Sequence, residues 1–254
     1  MSVILHQIFP VVKLQRLSTS IYVLSIAAPS LAGSLRPGQF LNIRVDDGPL
    51  LRRPFSAYRR EGDHVEILFD IVGKGTALLS RKRPGDTLDV LGPLGVPFGT
   101  DGKDFSTALL VGGGLGVAPL PITTEFLRKS GKEVHTFLGG RNSSFVIDAH
   151  LENLRVATDD GSRGFRGTVV DLLKEVVAAT AFDRPRIFGC GPTPMLRALS
   201  AFALERGIPA EVSLEGPMAC GIGICQGCPV ELRGGGYALM CKDGPVFDVR
   251  TINL

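Results

Sequence analysis

The stretch STALLVGGGLGVAPLPITT, Ser106 to Thr124, is 19 residues long and carries no charge. Its length matches a membrane span, which needs roughly 20 apolar residues. Gly112, Gly113, Gly114 and Gly116, with Pro119 and Pro121, argue against a span, because glycine weakens a helix interior and proline removes a backbone donor. The stretch reads instead as a strand over 107–111, a glycine turn, and a helix over 117–129. Downstream, strand-like runs at 134–138, 154–157, 186–188 and 211–214 alternate with helix-like runs at 168–177 and 193–205. Gly131 and Gly207 stand where helix C-caps belong. That alternation predicts a parallel sheet with crossover helices.

Upstream the pattern is different. Apolar runs at 21–27, 39–45, 64–69 and 87–91 are split by Pro37-Gly38, Asp46-Asp47-Gly48-Pro49, Glu61-Gly62-Asp63 and Pro84-Gly85-Asp86. Such spacing predicts a small antiparallel barrel or sandwich, with one short helix over 76–82. Residues 215–254 are rich in glycine and cysteine, and a piece that short buries too little surface to fold without a staple. The expected fold is a multi-domain α+β chain. It has an antiparallel β-barrel over 1–100, a parallel-sheet α/β domain over 101–214 and a small cysteine-bearing domain over 215–254.

Of 254 residues, 44% are apolar and 21% charged, a globular balance that excludes wholesale disorder. The 32 glycines follow no G-X-Y period, so they mark turns and close approaches rather than collagen. The net charge of +3 is too weak a basic balance to argue for nucleic acid. The first ten residues carry His6 and Gln7 in a short apolar stretch with no cleavage-like site. The expectation is a cytoplasmic protein without membrane or nucleic-acid partners.

Four of five cysteines fall between 220 and 241, a poor disulfide framework and a good metal site. Cys220, Cys225 and Cys228 form C-x4-C-x2-C, and Cys241 follows after twelve intervening residues. The first three have plant-type [2Fe–2S] spacing. Gly221, Gly223 and Gly227 let the backbone wrap the sulfurs and present N–H groups to them. Zinc is the alternative, although structural zinc sites usually show two CxxC-like knuckles and only Cys225–Cys228 is one.

Two nucleotide sites are expected. Arg52-Arg53-Pro54-Phe55-Ser56 offers guanidinium groups for phosphate, a flat ring and a hydroxyl. Gly73-Lys74-Gly75-Thr76 opens the short helix as an anion nest. Together, in a barrel, they suggest a flavin dinucleotide. The turn over Gly112, Gly113, Gly114 and Gly116 resembles a dinucleotide turn but misses G-x-G-x-x-G, since Val117 takes the third glycine place. Gly189-Cys190-Gly191-Pro192 follows another strand and precedes a helix containing Met195. Both turns, with Thr158, Asp159 and Asp160, fall beyond the carboxyl ends of strands, where ligands of open α/β sheets lie. Cys190 reads either as a residue facing the nicotinamide or as a small buried residue in a tight turn.

This order of motifs resembles the ferredoxin-reductase-like flavoproteins over essentially the whole chain. The tail, MACGIGICQGC at 218–228 and CKDGPVF at 241–247, is similar to that of the electron-transfer subunits of two-component, NAD-dependent dihydroorotate dehydrogenases. The resemblance implies that Arg53, Pro54, Phe55 and Ser56 line FAD together with Leu68, Phe69 and Asp70. It places the pyrophosphate at Gly75 and Thr76, in the cofactor-binding nest that Gly73 opens, and the cluster on Cys220, Cys225, Cys228 and Cys241. It sets Gly112 to Gly116 and Cys190-Gly191-Pro192 against NAD, with Cys190 as the catalytic candidate. The family usually reads Glu-Glu-Arg where this chain has Glu215-Gly216-Pro217, often has a basic residue at Asp70, and Pro229 removes an N–H beside Cys228.

The expected function follows. Dihydroorotate is oxidised on a separate FMN-containing catalytic subunit, and electrons pass through [2Fe–2S] and FAD here to NAD⁺, the two subunits forming a heterotetramer in pyrimidine biosynthesis. A nicotinamide moves electron pairs and a cluster single electrons, so a flavin must stand between them. No Ser-His-Asp or paired-carboxylate constellation is evident. The alternatives are an electron-transfer subunit of a sulfide dehydrogenase or hydrogenase complex, and a zinc-stapled nucleotide-binding regulator.

Overall fold

A computed structural model describes residues 4–45 and 50–254; the expected turn at 46–49 lies outside the described residues. Alternating burial builds the first half. In the strand β2 (Ile21–Ala27) and its neighbours, inward side chains such as Leu24, Ile26, Leu41, Ile43, Val65 and Ile67 fill one core, as period-two patterning requires. Six antiparallel strands close into a barrel: β1 (Leu5–Arg16), β2, β3 (Phe40–Arg44), β4 (Arg53–Glu61), β5 (His64–Asp70) and β6 (Thr87–Leu94), in the order β1-β2-β5-β4-β3-β6. Closure removes both sheet edges. Two short helices, α1 (Pro29–Ala32) and α2 (Lys74–Leu79), cover it.

The uncharged stretch at 106–124 does turn from strand to helix. It forms β7 (Thr107–Gly113), a 3-10 turn at Gly114–Val117 and the start of α3 (Leu120–Lys129). No helix of the described residues is long and apolar enough to cross a membrane. The second half continues as β8 (Glu133–Gly140), β9 (Leu154–Thr158), β10 (Phe165–Arg166), α4 (Val169–Ala179), β11 (Pro185–Cys190), α5 (Thr193–Arg206) and β12 (Ala210–Ser213). Strands β7 to β12 pair in parallel. On β7, Leu109 and Val111 pack with α4 and α5, whereas Ala108 and Leu110 pack with Leu120 and Leu127 of α3. Helices therefore cover both faces, as a buried parallel sheet needs. Gly207 ends α5 in the left-handed region at φ 65°.

Helix α3 also faces the barrel. Ile122 joins the barrel core, and the Arg60 guanidinium lies 4.3 Å over the Phe126 ring and 3.3 Å from Glu125.

The tail is less separate than the sequence suggests. It forms the hairpin β13 (Pro229–Glu231) and β14 (Tyr237–Leu239), the turn α6 (Met240–Asp243) and β15 (Val246–Asp248). Strand β15 pairs antiparallel with β12, so the sheet order is β10-β9-β8-β7-β11-β12-β15. The last strand of the main sheet thus comes from the cysteine-bearing segment.

Candidate functional site

The sheet order fixes where a ligand fits. Chain order runs outward from β7 through β8 to β9 on one side and through β11 to β12 on the other. The crevice at the carboxyl ends of β7 and β11 is therefore a topological switch point, the usual ligand position in open α/β sheets. A cavity of about 600 Å³ lies there, walled by Gly113, Gly114, Gly116, Gly191 and Pro192, within the range of about 300–1,000 Å³ typical of ligand sites. The glycines are required by space. A Cβ on Gly116 would stand 2.1 Å from the Cys190 carbonyl oxygen, and one on Gly113 would stand 2.6 Å from Met195 Sδ. Gly114 has φ +55° with nothing near its Cβ position, so its backbone opens to the cavity. This cradle fits a dinucleotide whose backbone must be approached closely. Gly112 lies one step behind, where a Cβ would meet Leu120 and Leu138.

A second cavity of about 330 Å³ lies between the barrel and the sheet. Strands β4 and β5 supply Pro54, Phe55, Ser56, Leu68, Phe69 and Asp70 to its wall, and Thr76 of α2 joins them. Thr76 is organised locally: its Oγ1 accepts the N–H groups of Val72 at 2.9 Å and Gly73 at 3.2 Å. The Phe55 and Phe69 rings meet edge to face at 5.9 Å. Asp70 Oδ1 is buried and has no hydrogen-bond partner; a buried carboxylate oxygen without a donor is costly, and a ligand donor would satisfy it. Flat apolar walls with one such acceptor fit a flavin ring. Arg53 lies at the start of β4, but its guanidinium turns back to the Leu51 carbonyl at 2.6 Å and does not line the cavity. Gly73 and Gly75 also stand outside that wall.

The two cavities share Asp70, Leu115 and Glu215. A ring bound in one would meet a ring bound in the other at this junction. Glu215 opens to both cavities and is solvent-exposed there, yet the protein packed around it raises its carboxyl from the usual range. Cys190 lies behind the junction: it is 1% exposed and lines neither cavity. Burial pushes its thiol far up, the Glu215 carboxyl adds to this, and a hydrogen bond from Ser213 opposes it. The thiol therefore stays protonated. Arg141, Phe145, Thr168 and Met195 also wall the larger cavity. No motif singled out these four as ligand contacts, and only their place at strand ends or at the start of a helix marks them. Asp159, already placed beyond a strand end, lines the same cavity.

The four tail cysteines come together in two pairs. The Cys225 N–H donates to Cys220 Sγ at 3.4 Å. Cys228 Sγ lies 3.3 Å from Cys241 Sγ and accepts the Cys241 N–H at 3.5 Å. The Gly223 N–H donates to Cys241 Sγ at 3.2 Å. Gly221 and Gly223 both have positive φ, 74° and 83°, which turns N–H groups toward the sulfurs. Burial raises the Cys220 thiol, but the backbone N–H groups of Cys225, Ile222 and Ile224 outweigh it and bring it down to about 6. Burial and the neighbouring Cys228 raise Cys241 to about 12, a value that applies to the metal-free thiol. Among the described residues no three such donors gather round one point as a single ion demands. Four thiols in two pairs, with N–H donors aimed at sulfur, fit a two-iron cluster held by four cysteines. The tail also walls the flavin cavity through Gly216, Met218 and Pro245. Gly216 suits that packing, since a Cβ there would stand 2.8 Å from Met240 Cε.

Comparison with known proteins places these observations. Residues 215–253 match the family described as the iron-sulfur cluster binding domain of dihydroorotate dehydrogenase B. A curated relative from Bacillus caldolyticus, named dihydroorotate dehydrogenase B (NAD(+)), electron transfer subunit, is 41% identical over 89% of this chain and 90% of its own. One of the same name from Bacillus mycoides is 38% identical over 96% and 97%. Among solved structures, one described as the NADH-dependent reduced ferredoxin-NADP oxidoreductase, studied for flavin-based electron bifurcation, superposes with a TM-score of 0.86 and 32% identity. The match covers 96% of this chain and 89% of that one.

Proposed function

We propose, from the premise that this chain belongs to the family of electron transfer subunits of NAD-linked dihydroorotate dehydrogenase B, a division of labour among its three sites. The chain is an NAD-linked flavin and iron–sulfur oxidoreductase subunit, with FAD, [2Fe–2S] and NAD as its cofactors. When bound, the flavin exchanges electron pairs with nicotinamide and single electrons with the cluster.

The residues divide that work. Pro54, Phe55, Ser56, Leu68 and Phe69 hold the flavin ring between barrel and sheet. Asp70 accepts a hydrogen bond from it, and Gly73, Gly75 and Thr76 carry the pyrophosphate at the start of α2. Gly113, Gly114 and Gly116 seat the dinucleotide on β7, and Gly191 and Pro192 close over it from β11. Glu215 and Leu115 bring the two rings together and exclude water. Cys190 works from behind, through the carbonyl that packs on Gly116, and keeps its proton. Cys220, Cys225, Cys228 and Cys241 hold the cluster.

The observation that carries this reading is the shared wall: the dinucleotide cavity and the flavin cavity share Asp70, Leu115 and Glu215, and the flavin cavity is walled by Met218, two residues before Cys220. The partner is an FMN-containing dihydroorotate dehydrogenase subunit, joined with this chain in a heterotetramer. All five cysteines are free thiols, which suits the reducing cytoplasm. A second reading keeps the chemistry and changes the partner, and the likeness to the bifurcating oxidoreductase favours it.

The chain purified alone and without oxygen is the test. NADH is expected to reduce flavin and then cluster, dihydroorotate to reduce neither, and addition of the FMN subunit to restore reduction by dihydroorotate. Oxidation of dihydroorotate by the isolated chain would refute the division of labour. Failure to couple with the FMN subunit would move the chain to the second reading.

A further inference from the structure

Asn42 is a buried polar residue to which the three sites assign nothing. It lies in β3, is 1% exposed, and its side-chain amide donates to the Cys220 carbonyl at 3.3 Å. Its Oδ1 is buried without a partner. Such an acceptor is costly, and an apolar side chain would occupy a barrel wall without that penalty. The residue is held firmly all the same. Its backbone carbonyl accepts from Arg52 Nη1 at 3.3 Å, and Arg52 is fixed on Asp89 by bonds of 2.9 and 3.0 Å.

The cluster loop sits directly on this amide. A Cβ on Gly221 would stand 2.4 Å from Asn42 Nδ2, so glycine is needed there for the approach as well as for its positive φ. Across the β3–β4 ladder Asn42 pairs with Pro54, which walls the flavin cavity. One side chain therefore ties the loop of the first cluster cysteine to the strand pair that frames the flavin.

The geometry points to Asn42 as a positioning residue for electron transfer: its amide holds the Cys220 end of the cluster loop against the flavin barrel and so sets the coupling between the two centres. The inference rests on the flavin and iron–sulfur reading above. Its rival is the covalent route along 218–220, because Met218 also lines the flavin cavity.

Asn42→Ala and Asn42→Asp, made in the full chain and loaded anaerobically with FAD, iron and sulfide, separate the two. The readouts are iron and flavin content, the EPR spectrum and midpoint potential of the cluster, and the ratio of cluster to flavin reduction rates after mixing with NADH. Asn42→Ala is expected to lower that ratio about tenfold, since small misplacements slow positioned reactions steeply, and to alter the EPR line shape. Asn42→Asp keeps the size but sets a negative charge beside the loop, so the potential is expected to move negative. Because that charge shifts the potential whatever holds the loop, the rate ratio and line shape of the uncharged Asn42→Ala decide between the two routes. Wild-type rate ratio and spectrum in Asn42→Ala would overturn the inference in favour of the 218–220 route, whatever the potential of Asn42→Asp. Joint loss of iron and flavin in both would overturn it too, because Asn42 would then only hold the barrel together. A wild-type chain whose flavin is reduced by NADH while its cluster stays oxidised would sink the underlying reading itself.

Discussion

A methyl group on Gly116 would collide with backbone, not with a flexible side chain: the Cys190 carbonyl oxygen at 2.1 Å, its carbon at 2.5 Å and Gly191 Cα at 2.6 Å. Two strand-end turns cannot both keep their places, so Gly116→Ala is expected to destabilise by about 1–3 kcal/mol, the scale of core overpacking. It should also raise the KM for NADH about tenfold with flavin content unchanged. Chemical denaturation and dye-linked steady-state kinetics check the two effects separately. Cys228 makes the opposite kind of demand. It is 5% exposed and stands 3.3 Å from Cys241 Sγ, and an alcohol is a poor ligand where a thiolate is wanted. Cys228→Ser is expected to reduce iron per chain to near zero while the flavin remains; metal analysis and the visible spectrum decide, and retained stoichiometric iron would remove Cys228 from the ligand set.

The contact of the 141–152 segment with the barrel is a matter of elements. His150 holds φ 63°, and its Nε2 lies 3.0 Å from Arg59 Nη1 of β4, so it accepts a hydrogen bond only while that nitrogen is unprotonated. Burial first, and then the Arg59 charge, lower its pKa, with Glu66 and Glu61 opposing. A histidine lowered in the folded state binds its proton more readily when unfolded, so the contact's contribution is present above about 6.5 and lost as pH falls through the lowered folded value. Protection factors in 143–152, which already allow for the slower intrinsic exchange at lower pH, are expected to fall from about pH 7.5 to about pH 5.5, and His150→Ala to abolish the difference. The same segment marks the limits of reading elements from sequence. β7 was legible because four apolar residues run straight into glycines. β1 was not, because Pro10 and a bulge between Val11 and Lys13 interrupt its alternation. β4 opens with Arg53-Pro54, which reads as a turn, and only pairing with β3 and β5 makes it a strand. The cysteine spacing was legible because metal chemistry fixes it locally. Glu215, Arg141 and Phe145 come to the cavities only through strand order, a non-local property that no short motif encodes.

At the scale of the whole molecule the cysteine-bearing tail is part of the scaffold, and that makes a prediction about cutting it off. Strand β15 pairs residue for residue with β12, Glu211 with Asp248, Val212 with Phe247 and Ser213 with Val246. Val230, Met240, Phe247, Val249 and Ile252 share a core with Ile187 of β11 and Val212 of β12, while Val246 joins the core of Phe98 and Phe188. Each such side chain contributes about 1.5–3 kcal/mol when buried, so six of them rival the roughly 5–15 kcal/mol by which a whole domain is stable. Pro245, Gly216 and Met218 also form one wall of the flavin cavity. A chain ending at residue 214 therefore loses the edge strand, a share of two cores and the flavin wall together. It is expected to express as flavin-free, aggregation-prone protein with an exposed β12 edge, and the full chain to unfold in a single thermal transition. Flavin-to-protein ratio and calorimetry of the two chains settle the point: a 1–214 fragment that holds stoichiometric flavin with an unchanged Tm would mean that the tail is an appended module after all.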